Sequence, residues 1–219
     1  MKEYEFELNE SMVQIFFPHE RIKNKIQVLK ILIEATRLIM YNDISDKNYN
    51  QKLVLKIKKM SRLFFITKNK YYSINFPFTF YKSDKSIEIT YKNQIVIDSK
   101  ILSDILSIIN DNRFNSLDCF DFIEPFIDFD SKYSEQIWFL LKELLTLEDG
   151  YVRFDNDKES FEKAKANETP HRHPENHFDI FYTSSNNIKI GLLDLINDKE
   201  FIDYFDLQTD CKYLKKFNQ

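Results

Sequence analysis

Residues 62–97 carry the strongest fold signal in this chain, and they read RLFFITKNKYYSINFPFTFYKSDKSIEITYKNQIVI. Their β-branched and aromatic side chains fall in short runs, separated by polar turns such as Lys82-Ser83-Asp84-Lys85. This spacing is typical of an antiparallel meander. We therefore expect strands at 62–67, 71–80, 86–91 and 94–97.

Helices are predicted on both sides of this meander. Residues 20–41 repeat apolar side chains at helical spacing, which predicts a long amphipathic helix. The same pattern predicts helices at 99–109 and 133–147 and a short one near 160–165. Residues 51–61 fit either a helix or a strand, and we interpret them as a short helix.

The remaining strands are predicted near the two ends of the chain. Alternating Glu and apolar residues over 3–8 indicate a half-buried strand, and the apolar run 12–17 indicates a second one after a turn. Residues 151–154 are predicted to form another strand. A hairpin is expected from 177–182 and 188–191, around the polar residues 184–187.

Together these elements predict an α+β fold in which antiparallel strands pack against helices. The acidic stretch 110–130 breaks the pattern and contains Pro125. It is the candidate boundary between an N-terminal α+β lobe, 1–112, and a C-terminal lobe, 113–219, with the Trp138 helix and a His-rich hairpin. One continuous domain is the alternative.

Composition excludes several classes of protein. A chain of 219 residues with 43 % hydrophobic and 30 % charged residues is expected to fold rather than remain disordered. Two glycines, Gly150 and Gly191, are too few for a P-loop or a dinucleotide-binding turn, and no nucleophile elbow is present. The two cysteines, Cys119 and Cys211, lie too far apart for a Cys-rich zinc module.

The chain also lacks the usual signals for membranes and secretion. No apolar run reaches the ~18 residues of a membrane span, and the N-terminus has no apolar signal core. We therefore expect a cytoplasmic protein with reduced thiols and no membrane partner.

Charge is distributed unevenly along the chain. Residues 1–100 hold 18 basic and 11 acidic residues, whereas residues 101–219 hold 13 and 24. From Lys47 to Lys82 there are nine basic residues, no acidic one and many interleaved aromatics. Lysines that neutralise phosphates and aromatics that stack on bases are typical of nucleic-acid surfaces.

The candidate nucleic-acid-binding residues are Lys52, Lys56, Lys58, Lys59 and Arg62. The alternative is a solvated basic face over a sheet, or a surface for a protein partner. The overall net charge of −4 favours this alternative.

Three of the four histidines, His171, His173 and His177, lie within seven residues, and Asp179 follows. Imidazoles and a carboxylate are good ligands for a divalent transition metal, so these four residues are a candidate metal site. If His177 begins a strand, its side chain and that of Asp179 share a face.

The same histidines could act without a metal. His173 and His177 would then be the general base and general acid of phosphodiester cleavage, and Arg172 would bind the phosphate. Asp179 would orient an imidazole. A purely structural histidine loop is the third interpretation.

The segments Gly150–Asp155, His173–Tyr182, Lys189–Leu192 and Thr209-Asp210-Cys211 resemble those of a set of uncharacterised bacterial proteins. The resemblance covers about the last 80 residues and implies no activity. It implies that His173, His177 and Asp179 belong to one shared element.

The function predicted from these features is a bacterial, cytoplasmic, histidine-centred phosphodiesterase acting on nucleic acid, of the kind found in phage-defence or toxin loci. The rival hypothesis is a non-enzymatic interaction or regulatory protein. In that case the histidine loop is structural.

Overall fold

The fold is described from a computed structural model, which covers residues 2–41, 50–58, 61–83, 86–115, 119–128, 132–182 and 188–214. Predicted features that lie outside these residues are Lys59, the tip of the 82–85 turn and the 184–187 hairpin turn. The described part of the chain forms the predicted α+β fold.

Strands form two antiparallel sheets. In chain order the strands are β1 (Lys2–Glu7), β2 (Lys52–Ile57), β3 (Arg62–Ile66), β4 (Lys70–Asn75), β5 (Thr79–Lys82), β6 (Ile87–Tyr91), β7 (Ile95–Val96), β8 (Val152–Asn156), β9 (Asn176–Asp179) and β10 (Lys189–Leu192). The large sheet has the order β1-β2-β3-β4-β8-β9-β10, and the small sheet has the order β5-β6-β7. The site described below lies on β8 and β9, near one edge of the large sheet.

Seven α-helices connect or cover these strands in the described residues. They are α1 (Glu10–Phe16), α2 (Lys25–Tyr41), α3 (Ser99–Ile109), α4 (Cys119–Asp128), α5 (Glu135–Thr146), α6 (Lys158–Ala166) and α7 (Asp198–Asp203). None of these helices combines the length and apolarity that crossing a membrane requires.

The large sheet is covered on both faces. Leu53, Leu55 and Phe65 point to the face covered by α2, which also packs against α3 and α5. Val54 and Phe64 point to the opposite face and pack with Phe201 of α7 and its surroundings. We call these the α2 face and the α7 face.

Burial on both faces explains why the prediction for 51–61 is wrong. Lys52–Ile57 form β2, which lies between β1 and β3 and is buried along almost its whole length. Its apolar run lacks the alternation of a half-buried strand, and Lys52 and Lys56 repeat at a spacing that also fits a helix.

The predicted strand at 12–17 is also wrong, because these residues belong to α1. Asn9 ends the preceding extended segment, and its side chain accepts a hydrogen bond from Met12 N at 3.0 Å. This cap satisfies one of the free N–H groups of the first helical turn. Residues 9–11 thus begin a helix instead of a hairpin turn.

One predicted strand, 71–80, is divided between the two sheets. β4 ends at Asn75 and β5 begins at Thr79. Pro77 lies between them, and a proline has no N–H to donate to a strand ladder.

The large sheet crosses the predicted boundary at 112/113. β4 pairs with β8 in an antiparallel register, and α5 shares a core with α2 and α3. Two strands from the two predicted lobes are therefore hydrogen-bonded neighbours. The stretch expected to be irregular also contains α4, with Pro125 inside the helix.

Candidate functional site

A polar cluster lies where β8 and β9 pair. Arg153 lies opposite Asp179, and Asp155 lies opposite His177. Directly opposed residues share a face, and side chains alternate along a strand. All four side chains therefore lie on the α2 face, whereas Phe154 between them packs on the α7 face.

Three of these side chains form a compact set of ligand atoms. Asp155, His177 and Asp179 each offer one nitrogen or oxygen atom, and the three atoms lie within 4.8 Å of one another. The residues are 8 %, 2 % and 2 % exposed. Charged and polar groups are this buried only when a partner compensates the loss of water.

Part of that compensation comes from Arg153. Its Nε lies 2.7 Å from Asp155 Oδ2, and its Nη2 donates to Asp179 Oδ2 at 2.5 Å. The guanidinium thus bridges one oxygen of each carboxylate. Only the contact with Asp179 is a hydrogen bond, because Arg153 Nε has no hydrogen-bond partner among the described residues and meets Asp155 as an ion pair.

The other oxygen of each carboxylate is unsatisfied. Asp155 Oδ1 and Asp179 Oδ1 are both buried and accept no hydrogen bond from the described residues. An unsatisfied buried acceptor costs about 1–3 kcal/mol, and more when the group is charged. The oxygen of Asp155 that lies 3.9 Å from His177 Nε2 is Oδ2, so the two Oδ1 atoms are a separate, unexplained feature of the cluster.

The imidazole of His177 is fixed in one tautomer. Its Nδ1 lies 2.9 Å from the carbonyl oxygen of Pro174, so Nδ1 carries the proton and donates it. Burial, together with the positive charge of Lys189, lowers the pKa of His177. Nε2 therefore keeps a lone pair at neutral pH, and a hydrogen bond at Nδ1 is the usual support of a metal-ligating histidine.

Gly191 holds the carbonyl of Pro174 close to the cluster. It lies opposite His177 on β10, and a Cβ atom there would lie 2.7 Å from Pro174 Cγ. A side chain at 191 would push the 174 segment away from the sheet. The glycine thus allows the loop to cover His177.

Two further cations approach the cluster from other elements. Arg21, in the segment between α1 and α2, donates to the carbonyl oxygen of Phe181 at 3.1 Å and lies 4.0 Å from Asp179 Oδ2. Lys70 Nζ of β4 lies 3.8 Å from Asp155 Oδ1. The surroundings of the two carboxylates are therefore rich in positive charge.

His173 lies at the rim of the cluster. Its ring meets the ring of His177 edge to face, with the centroids 5.0 Å apart, and its Nε2 lies 3.9 Å from Asp157 Oδ2. Asp157 also caps α6 by accepting from Ser160 N at 3.0 Å. Burial raises the pKa of Asp157, but the hydrogen bonds from Ser160 and the nearby His173 and His177 together lower it. A carboxylate thus faces the outer histidine.

The structure brings together only part of the predicted site. His177 and Asp179 lie in the cluster and His173 borders it. His171 and Arg172 lie in an exposed single turn of 3-10 helix, outside the set of ligand atoms found in the described residues. The prediction of His171 as a ligand and of Arg172 as the phosphate-binding residue of this cluster is therefore not supported by their positions.

Two residues of the cluster, Arg153 and Asp155, were not assigned with the histidines. The chain does contain a signal for them, because Arg153-Phe154-Asp155 alternates with the same period as His177-Phe178-Asp179. That alternation places each pair on one face of its own strand. Only the pairing of β8 with β9 places the two pairs side by side.

The predicted nucleic-acid-binding residues that the structure describes, which exclude Lys59, do not form a free basic surface. Lys52 is buried and contacts Glu5 and Asp198, at 3.1 and 3.0 Å. Lys56 and Lys58 both pair with Asp206.

Arg62, also predicted to bind nucleic acid, is used inside the chain as well. It donates to Ser73 Oγ at 2.9 Å and to Asn75 Oδ1 at 2.6 Å, and its guanidinium lies over the ring of Phe205. The predicted nucleic-acid-binding residues in the described part of the chain thus have partners in the fold. Phosphate groups would have to displace those partners.

A cleft of about 620 Å³ opens beside the cluster. The segment between α1 and α2 forms one wall, the start of α6 forms the other, and β4 and β8 form the floor. Arg153 and Asp155 line its inner end. The cleft therefore connects one carboxylate of the cluster to solvent.

Comparison of this chain with protein-family models, with curated proteins and with solved structures finds no match.

Proposed function

We propose that this protein is a metal-dependent phosphodiesterase whose divalent ion is bound by Asp155, His177 and Asp179. The observation that carries the proposal is the set of three ligand atoms, one each from Asp155, His177 and Asp179, that lie within 4.8 Å of one another. Each carboxylate also has one buried oxygen, Oδ1, that accepts no hydrogen bond from the described residues. A divalent transition metal would satisfy all three ligands, since carboxylate oxygen and imidazole nitrogen are among the ligands it prefers.

The second supporting feature is the cleft. A metal held by Asp155, His177 and Asp179 would supply Lewis-acid activation of a phosphoryl oxygen and of the attacking water. The water oxygen bonds to phosphorus, the ester P–O bond breaks, and the proton released by water reaches the leaving oxygen. We assign the transfer of that proton to His173, which borders the cluster and whose Nε2 lies 3.9 Å from Asp157 Oδ2.

The roles differ from those expected from the sequence alone. Arg21 and Lys70 replace Arg172 as the groups that face a phosphate, because they lie near the two carboxylates and line the cleft. A defence or toxin role remains a proposal from sequence resemblance. Three of the four segments that resemble bacterial proteins form β8, β9 and β10, and the fourth, residues 209–211, follows α7.

A second candidate function rests on Arg153. Because it already pairs with both carboxylates, the cluster could serve as a polar network that holds β8 to β9. The protein would then be a non-enzymatic interaction or regulatory protein. This alternative predicts that no metal binds.

The amount of bound metal distinguishes the metal-dependent phosphodiesterase from the non-enzymatic protein. We expect the purified chain, after incubation with Mn²⁺ or Zn²⁺ and desalting, to retain one ion per chain by elemental analysis. Asp155→Asn and His177→Asn should lose the ion while keeping their circular dichroism spectrum. His171→Ala is the matched control and should retain it, because His171 lies outside the cluster.

Activity is measured on the same proteins with bis(p-nitrophenyl) phosphate. Hydrolysis should require the added metal, stop with a chelator and fall by at least ~10–100-fold in Asp155→Asn. A wild-type chain that binds no metal under these conditions would contradict the proposal and favour the structural network.

A further inference from the structure

The size of the cleft limits what can occupy it. Small-molecule sites typically have volumes of ~300–1,000 Å³ and combine apolar walls with a few placed polar groups. The cleft, at about 620 Å³, falls in that range, and its lining includes the partly buried Phe17 and the buried Tyr72 and Tyr151. It has the dimensions of a site for one small ligand with an aromatic part.

The charges that line the cleft are balanced. Arg21, Lys70, Arg153 and Lys158 provide four cations, and Glu20, Asp155, Asp157 and Glu159 provide four carboxylates. A surface for a long polyanion needs an excess of positive charge along its length. The lining therefore does not favour a polymeric nucleic acid.

The cations and the carboxylates that line the cleft differ in the ion pairs and hydrogen bonds that they make. Glu20 pairs with Lys23, Glu159 pairs with Lys163, and Asp157 caps α6, so three of the acids bond to groups outside the cleft lining. Arg21 retains a buried Nε that donates to none of the described residues. Lys70 lies 3.8 Å from its nearest carboxylate oxygen, longer than a hydrogen bond.

We propose that the cleft binds one aromatic phosphate ester of the size of a nucleoside monophosphate, with its phosphate on Arg21 and Lys70. This inference rests on the proposed function, since it places the phosphate next to the metal-binding carboxylate Asp155. It goes further by assigning a small ligand instead of a nucleic-acid strand. Phe17, which lines the cleft and is only partly buried, would contact the aromatic part.

Calorimetric titration tests the ligand class on the full chain with Mn²⁺ present. The probes are adenosine 5′-monophosphate, adenosine, ribose 5-phosphate and a 12-nucleotide RNA. We expect the monophosphate to bind at least about tenfold more tightly than adenosine or ribose 5-phosphate, because only it uses both ends of the cleft. The RNA should bind no more tightly than the monophosphate.

Two variants test the assigned residues. Arg21→Met and Lys70→Met should each weaken monophosphate binding about tenfold or more and leave adenosine binding unchanged. Lys68→Met is the matched control, because Lys68 is exposed on the same turn as Lys70 but does not line this cleft. Metal content is measured for each variant to confirm that the metal site is intact.

The outcomes separate this inference from the proposed function. A chain that binds metal but no monophosphate, or that binds the RNA more than tenfold more tightly, overturns the inference and leaves the metal site standing. If the chain holds no metal but binds the monophosphate through Arg21, the result supports the cleft as a monophosphate-binding site and contradicts the proposed function. Equal loss in the Lys68→Met control would also overturn the residue assignment.

Discussion

At the scale of the residue, His177 is the side chain whose environment has the clearest consequence. It is 2 % exposed, and its Nδ1 proton is used by the Pro174 carbonyl. Protonation of Nε2 would place a charge in a buried site near Lys189, and these two effects outweigh the Asp155 and Asp179 carboxylates, which favour the protonated form. The pKa of His177 is therefore lowered in the folded chain.

This environment predicts a dependence of stability on pH. The pKa of His177 is lowered in the folded chain, chiefly by burial, whereas the unfolded chain has the ordinary value of about 6.5. The unfolded state then binds the proton first as the pH falls. The free energy of unfolding should decrease below pH ~6.5, by about 1.4 kcal/mol for each pKa unit of difference.

Urea unfolding of the metal-free chain between pH 7 and pH 5 measures this effect. His177→Asn should lose the part of the decrease that His177 causes, because Asn does not titrate. His19→Asn, at an exposed position, is the control and should behave as the wild type does. An identical pH profile for wild type and His177→Asn would show that His177 does not titrate differently on folding.

At the scale of the element, β2 shows why the sequence does not reveal whether its lysines are free or paired inside the fold. Lys52, Lys56 and Arg62 point to the α7 face, where the carboxylates of Asp198 and Asp206 meet the first two. The ion pair with Asp206 lowers the pKa of that carboxyl to about 2, mainly through the bond from Lys58. These pairs join β2 to the C-terminal part of the chain.

We therefore predict that Lys52→Met destabilises the folded protein and does not act by weakening nucleic-acid binding. Lys52 has a side chain that is 4 % exposed, and its removal leaves Glu5 and Asp198 half-buried without their cation. The expected loss is about 1–3 kcal/mol in the free energy of unfolding, measured by urea titration. Lys68→Met, at an exposed position, should change stability by less than ~0.5 kcal/mol.

A result in which Lys52→Met folds as stably as wild type would contradict the structural role. In that case the lysine would again be available to an outside partner. The same two variants, tested on a short RNA, would then measure whether it contributes to nucleic-acid binding.

At the scale of the whole molecule, the sheet joins the two halves of the chain. β4 from the first half pairs with β8 from the second, and α5 completes the core under α2. A fragment that ends at residue 112 would expose the edge of β4 and the apolar side of α2. Exposed strand edges and apolar faces favour aggregation over folding.

We predict that the fragment 1–112 does not fold by itself. Its thermal unfolding, followed by circular dichroism, should lack the cooperative transition of the full chain. Mixing it with the fragment 113–219 should restore part of that transition if the halves complement each other. Cooperative unfolding of 1–112 alone would instead establish the N-terminal lobe as an independent domain.

Local patterns in the sequence are sufficient for much of the fold. Apolar spacing predicts α2, α3 and α5, and alternation predicts β1, β8 and the His177–Asp179 face, because these signals depend on neighbours within one or two turns. Predictions from apolar spacing and alternation are wrong for α1 and β2. In α1 a single cap at Asn9 decides the structure, and in β2 burial on both faces removes the alternation.

The candidate site likewise has one part that local sequence patterns predict and one part that depends on contacts between distant residues. The sequence alone determines that His177 and Asp179 share a face and that His173 lies nearby, since strand periodicity is a property of a short segment. Only the tertiary structure brings Asp155 and Arg153 beside them, through the register of β8 on β9, and pairs the lysines of β2 with distant carboxylates. Such contacts join residues far apart in the chain, and their partners are chosen by the packing of the whole sheet.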